Sequence, residues 1–458
     1  MPHPTAVLNV VGLSSSLLGP DTPHLSALAQ RHAMRTLAPV LPAVTCPVQS
    51  SMLTGLPVRD HGIVANGWYD RDRCEVQFWK QSNRLVHGEK VWETAKRRDP
   101  SVTCANMFWW FNMYSTADVS VTPRPMYPAD GRKIPDVYTE PAGLRDELQA
   151  RHGQFPLFKF WGPMASIDSS RWIARASMDV HERVNPTLML IYLPHLDYAL
   201  QRSGPGSPEA AAAVREIDAL VGELLAFFEG RGTRVVVLSE YGIEPVTEAI
   251  DVNRTLRDAG LLRVREELGR ELLDAGASDA FAVCDHQVAH VYIADPEALP
   301  SVRATLATRA GVDRALDRDE QHALGIDHPR AGELVLVAER GHWFTYDYWR
   351  DDDRAPDFAR TVDIHRKPGY DPRELFVDPT LIAPTLRIAA KVARRKLGFR
   401  TLLDVIPLDT SLVRGSHGRI DQPKEERPLL IAERIDADSA ALPVTSVRDV
   451  ILTHLFDG

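Results

Sequence analysis

The chain has 458 residues, 44% of them hydrophobic, with a formal net charge of -9 and a pI near 6.0. That length and apolar content suffice for a sizeable buried core, organised as one large domain with an insertion or as two moderate ones. The acidic balance offers no field to draw nucleic acid, and no uninterrupted apolar stretch is long enough to cross a bilayer, so neither partner is expected.

Taken in chain order, Ala6–Val11 (AVLNVV) reads as a strand ending at Gly12. The residues before it carry no charged, long apolar leader, and a cytoplasmic protein is expected. In Pro42–Gly67, Thr45 falls just before an apparent helix beginning at Pro47. Free N–H groups and the helix dipole would favour an anion there, and a hydroxyl in that place could attack phosphorus. Cys46, beside it, is an alternative nucleophile only with a depressed pKa. Together with Cys74, Cys104 and Cys284 it shows no C-x-x-C spacing, which argues against a disulfide framework or a zinc knuckle.

Residues 68 to 175 are rich in aromatics and Pro, as in WYDRDRCEVQFW and MFWWFNMY, and read as an elaboration over the site. Thr187–Leu193 (TLMLIYL) and Arg234–Leu238 (RVVVL) are further strands. The helix between them, with apolar residues at steps of three and four, closes on Gly230. Such strand, helix, strand units build a mostly parallel sheet that binds ligands beyond the carboxyl ends of its strands. Charged helices and short strands such as HVYIAD and LVLVAE then alternate, and the reading is a core of residues 1–250 and 405–458 interrupted by an α+β subdomain at 251–404. The basic run KVARRK at 391–396 reads as a solvated helix face.

The order Pro42-Ala43-Val44-Thr45-Cys46-Pro47, Thr54-Gly55, His61-Gly62-Ile63, Asn66 resembles the nucleotide pyrophosphatase and phosphodiesterase branch of the alkaline phosphatase superfamily. The segments DTPHLSALA, LPHLDYALQRSGP, LSEYGI and RGSHGRIDQPKEERPLLI are similar to that family's segments in the same order. The resemblance implies an alkaline-phosphatase-like α/β fold, a mostly parallel sheet sandwiched by helices. It also implies metal-dependent hydrolysis of a small phosphorylated substrate, with Thr45 as nucleophile and Asn66 holding a phosphoryl oxygen. The alternative is a degenerate member that binds a phosphate-bearing ligand or runs a non-hydrolytic step.

The implied metal ligands are Asp197, Glu240, His417 and Thr45, and the pattern departs from the family elsewhere. Val11, Gln201 and Tyr241 stand at three expected ligand positions, and Asn9 lies two residues before Val11 on the same strand face. Tyr241 replaces an imidazole with a phenol that ligates poorly at neutral pH unless a metal ionises it. An oxygen-rich set of this kind suits Mn or Mg by hardness, beside the family's Zn. His195, Asp285, His286 and His365 are further candidate ligands. His195 lies on the face of Asp197 if the strand continues, and Asp285-His286 stand where another strand opens.

Overall fold

The computed structural model describes residues 2–362, 367–397, 399, 401–435 and 441–457, without the side chains of 395 and 396. Among the described residues one nine-stranded sheet forms the centre. In chain order its strands are β1 (Thr5–Val10), β2 (Ala33–Ala38), β3 (Cys104–Met107), β4 (Val119–Pro123), β5 (Val137–Glu140), β6 (Leu188–Leu193), β7 (Arg234–Leu238), β8 (Leu429–Ala432) and β9 (Ala441–Pro443). In space they run β9-β2-β8-β7-β1-β6-β3-β4-β5. β8 is antiparallel to both its neighbours and β5 to β4, while the other pairings are parallel.

β1 and β6 are buried along their whole lengths, which is why they read as unbroken apolar runs rather than alternating ones. The strands β3, β4 and β5 all fall between residues 68 and 175. Part of the stretch that reads as an elaboration therefore supplies one side of the sheet, and many of its aromatic side chains are buried.

The helices that bear on the site are α1 (Pro23–Arg31), α2 (Thr45–Thr54), α3 (Ile167–Val184), α4 (His195–Ser203) and α5 (Pro208–Glu229). α5 starts at Ser207, whose side chain accepts from Ala210 N. Its buried Asp218 accepts from the backbone N–H groups of His24 and Leu25, so the start of α1 is capped by a carboxylate from another helix. α2 has no solvent face: all ten of its residues are buried, and it stops where Gly55 turns left-handed at φ 71°.

A second, antiparallel sheet pairs Ala280–Asp285 with Val288–Ile293, then Leu334–Ala338, then Val312–Leu316. The sequence reading has Asp285 and His286 opening a strand. Instead Asp285 ends one and His286 lies in the two-residue turn that follows, at φ 58°. The turn carries both residues to the loop before β8, where Gln287 N donates to His417 O at 2.9 Å. No helix among the described residues is long and apolar enough to cross a membrane.

Candidate active site

Three parallel strands end at one level, because Asn9 of β1 sits opposite Tyr192 of β6 on one side and Leu238 of β7 on the other. The residues just past these ends point into one buried place beyond the sheet, as expected for a doubly wound fold.

Thr45 is itself the first residue of α2, two positions earlier than Pro47, and it is 3% exposed. Its Oγ1 lies 3.1 Å from the hydroxyl of Tyr241, just past β7. Cys46 N donates to Asn66 Oδ1 at 2.9 Å, and Asn66 in turn donates from its backbone N and its Nδ2 to the two oxygens of Asp285, at 2.8 and 3.1 Å. Asn66 thus ties the start of α2 to the turn of the second sheet. Burial raises the Cys46 thiol well above its ordinary range, which argues against it as a nucleophile.

Glu240 is completely buried, and its Oε1 accepts from both Asn9 Nδ2 and Gln49 Nε2 at 2.6 Å. Gln49 lies one turn beyond Thr45 on the same face of α2, and its own carbonyl accepts from Trp110 N. The i, i+4 spacing from Thr45 is the sequence signal that finds it, and the sequence reading passes over it. Desolvation pushes the Glu240 carboxyl up to about 8, and that of Asp197 up to about 7.

Asp197 and His417 face each other with Nε2 and Oδ1 3.9 Å apart. His417 Nδ1 donates to the Ala43 carbonyl, which leaves Nε2 as a bare acceptor. Gln201 Nε2 donates to Asp197 Oδ2, while Asp197 Oδ1 and Gln201 Oε1 are buried without partners. Two buried acceptors facing one another, with a third close by, form a set that a shared cation would satisfy. Glu240 does not extend that set. Two amide groups point their hydrogens at Oε1, only Oε2 is left bare, and Tyr241 lays its ring on His417 instead of offering a nitrogen. Among the described residues, no three His, Cys, Asp or Glu side chains stand close enough to hold a metal by themselves. The residues fit one cation at Asp197 and His417 and do not build a second place at Glu240.

The remaining candidates divide. His286 joins the site, its ring centroid 3.9 Å from that of His417. His195 is turned away to Glu216 at 2.9 Å. β6 has ended by then, so His195 and Asp197 lie two apart in the first turn of α4, where such side chains point in different directions. His365 lies outside the described residues. Above Thr45 is a cavity of about 30 Å³ walled by Trp79, Trp110, Trp161, Tyr198 and Tyr370. Trp161 sits 5.3 Å from each of the two tyrosine rings and Trp79 5.0 Å from Trp110, so the wall is closely packed.

Comparison with known proteins points to one family. The sequence matches the family model for type I phosphodiesterase / nucleotide pyrophosphatase over residues 5–371. It is 26% identical over 238 residues to a pyrophosphatase/phosphodiesterase of Schizosaccharomyces pombe that is described as uncharacterized, covering 50% of this chain and 42% of that one. It is 24% identical over 241 residues to ectonucleotide pyrophosphatase/phosphodiesterase family member 1 of Mus musculus, covering 50% and 22%. The matched stretch spans less than half the length of each of these curated relatives. Among solved structures, phosphonoacetate hydrolase from Sinorhizobium meliloti 1021, in complex with phosphonoformate, superposes with a TM-score of 0.62 at 16% identity, over 99% of this chain and 95% of that one. An inactive threonine-to-alanine variant of murine ectonucleotide pyrophosphatase/phosphodiesterase 5, in complex with AMP, gives 0.58 at 14%, over 99% and 94%.

Proposed function

The chain belongs to the type I phosphodiesterase / nucleotide pyrophosphatase family and has its alkaline-phosphatase-like fold, and from that premise we propose that it hydrolyses phosphoric ester or anhydride bonds of a small phosphorylated substrate, with Thr45 as nucleophile. The observation that carries this reading is the buried Thr45 hydroxyl at the N-terminus of α2, beyond the ends of β1, β6 and β7. The inactive threonine-to-alanine relative supports it. Attack by Oγ1 on phosphorus breaks the bond to the leaving oxygen and leaves a phosphothreonine, which water then cleaves.

A divalent cation held by Asp197 and His417, Zn or the harder Mn or Mg, would neutralise phosphoryl oxygens and make the Thr45 hydroxyl more acidic. The chain's own residues do the rest. Burial raises the Tyr241 phenol well above its ordinary range, so at 3.1 Å it orients Thr45 Oγ1 and keeps its own proton. Asn66 holds the first turn of α2 in place through Cys46 N, and the helix N-terminus favours the charge that builds on the phosphoryl group. The packed aromatic wall keeps bulk water from the intermediate.

A second reading has one observation in its favour. The amide pair on Glu240 fills what would be a ligand position, and a protein that holds a phosphate-bearing ligand without hydrolysing it would keep the rest of the site unchanged. Turnover of bis-nitrophenyl phosphate by the purified chain decides between the two. A rate above background that is lost in Thr45→Ala supports hydrolysis. Binding of AMP by calorimetry with no turnover under any added divalent metal supports the second reading and ends the first.

A further inference from the structure

Trp161 belongs to two spaces at once. It lines the cavity above Thr45, and it also lines a solvent-open cavity of about 380 Å³ walled by Phe158, Met164, Thr361 and Val362. The indole therefore stands between solvent and the hydroxyl. The inner cavity, about 30 Å³, has room for roughly two water molecules, so a group carried by phosphorus has to lie against this wall or displace part of it.

The wall is fastened from another part of the chain. Trp161 Nε1 donates to Glu374 Oε2 at 3.0 Å, and Glu374 Oε1 accepts from Lys367 Nζ at 2.6 Å. Lys367 Nζ also donates to the Thr361 carbonyl at 3.0 Å, so one ammonium joins the acceptor of the indole to the wall of the outer cavity. Glu374 and Lys367 are 1% and 3% exposed in the structure. Both come from the stretch 251–404 that reads as an insertion, whereas Trp161 lies within 68–175. Just past the indole the chain turns at Gly162, at φ 122°, where any side chain would be strained.

Three tryptophans line the inner cavity, and they are held differently. Trp110 Nε1 donates to the backbone carbonyl of Lys80, and Trp79 Nε1 has no partner among the described residues. Only Trp161 is fixed by a charged side chain that is itself paired. A buried ion pair adds little net stability, since desolvation offsets the attraction, and an apolar pair of similar volume commonly serves the fold as well. An apolar pair cannot accept the indole N–H, and that is the task the carboxylate performs here.

We propose that Lys367 and Glu374 are positioning residues: they fix Trp161 as the constriction between the two cavities and, through it, set how large a group on phosphorus the site accepts. The effect on turnover rests on the hydrolase reading, and the effect on ligand affinity does not.

Two double variants of the full chain test this. Lys367→Met with Glu374→Gln removes the charges and keeps an oxygen for the indole N–H, while Lys367→Met with Glu374→Leu removes both. Neither leaves a buried charge unpaired, and thermal melts check that each folds. Calorimetry compares inorganic phosphate, which needs only the place at Thr45, with AMP, which has to lie against the wall. Kinetics compares methyl nitrophenyl phosphate with bis-nitrophenyl phosphate, which share a leaving group and differ only in the second ester.

In the second variant the AMP-to-phosphate affinity ratio and the KM ratio of the two diesters are expected to move at least ~10-fold in favour of the larger ligand, with kcat for the methyl ester within ~3-fold. The first variant is expected to keep both ratios within ~3-fold of native. A second variant that folds and treats large and small ligands as the native chain does overturns the proposal, and so does a first variant shifted as far as the second. Equal loss of kcat on both diesters with KM and affinities unmoved also overturns it. If the second variant does not fold, Trp161→Phe, which likewise removes the N–H, reads the same ratios. A shifted affinity ratio with no turnover of either diester by any form supports the positioning and overturns only the hydrolase reading.

Discussion

Tyr241 lies flat on His417, with ring centroids 3.6 Å apart and planes 5° from parallel. The stack joins the end of β7 to the loop before β8. Hydrogen bonds from the same two side chains, to Thr45 Oγ1 and to the Ala43 carbonyl, fasten both to the start of α2. Three segments far apart in the chain are locked at the point where the chemistry is proposed.

Thr45→Ala is expected to lower turnover of bis-nitrophenyl phosphate by about 10³-fold or more, since it removes the atom that bonds to phosphorus. Cys46→Ala should keep the native rate within about 10-fold, because burial keeps that thiol protonated. Steady-state kinetics on both variants check this, with thermal melts to confirm folding. A Thr45→Ala protein with native activity removes the nucleophile assignment.

Bound divalent metal is expected to saturate near one equivalent per chain, because the amides of Asn9 and Gln49 occupy Glu240 Oε1. His417→Ala should bring the bound metal down to background. Elemental analysis after dialysis against Zn or Mn measures both. Two tightly held equivalents would show that Glu240 exchanges its amides for a cation.

Gln49→Ala is expected to destabilise the fold by about 2–4 kcal/mol, because it strips a donor from a buried carboxyl and an acceptor from Trp110 N. Urea unfolding followed by tryptophan fluorescence reads this directly. A change smaller than about 0.5 kcal/mol would mean that water replaces both contacts.

Burial first, then the neighbouring His328 and His87, hold His61 down at about 3, with Nδ1 accepting from Ile63 N and Nε2 against Ser51 Oγ. The native state refuses a proton that the unfolded chain takes up below its ordinary pKa of about 6.5, so stability is full above that pH and falls as pH drops toward 3. The expected slope from this residue is about 1.4 kcal/mol per pH unit. His61→Gln should flatten the decline of the urea midpoint between about pH 6.5 and pH 4, and an unchanged slope would assign the acid sensitivity to other groups.

Much of this molecule is written locally in the chain. AVLNVV, TLMLIYL and RVVVL are strands because apolar runs of that length, bounded by Gly and Pro, bury on both faces, and Thr45 begins a helix because the residues around Pro47 favour that start. Asp197 lies in the first turn of α4 after β6, Glu240 just past β7 and His417 in the loop before β8, in the order the motifs follow along the chain.

What each of those side chains meets there is decided by the tertiary structure. Asn9 reaches Glu240 across 231 positions and Asn66 meets Asp285 across 219, distances closed only by the strand order and by the turn of the second sheet. His195 turns to Glu216 because β6 has ended before it, and in the first turn of α4 residues two apart point in different directions. Periodicity determines elements and their faces, since those depend on neighbours within a few residues. Which carboxylate meets an amide and which meets an imidazole depends on how the elements pack, and no short window of sequence contains that.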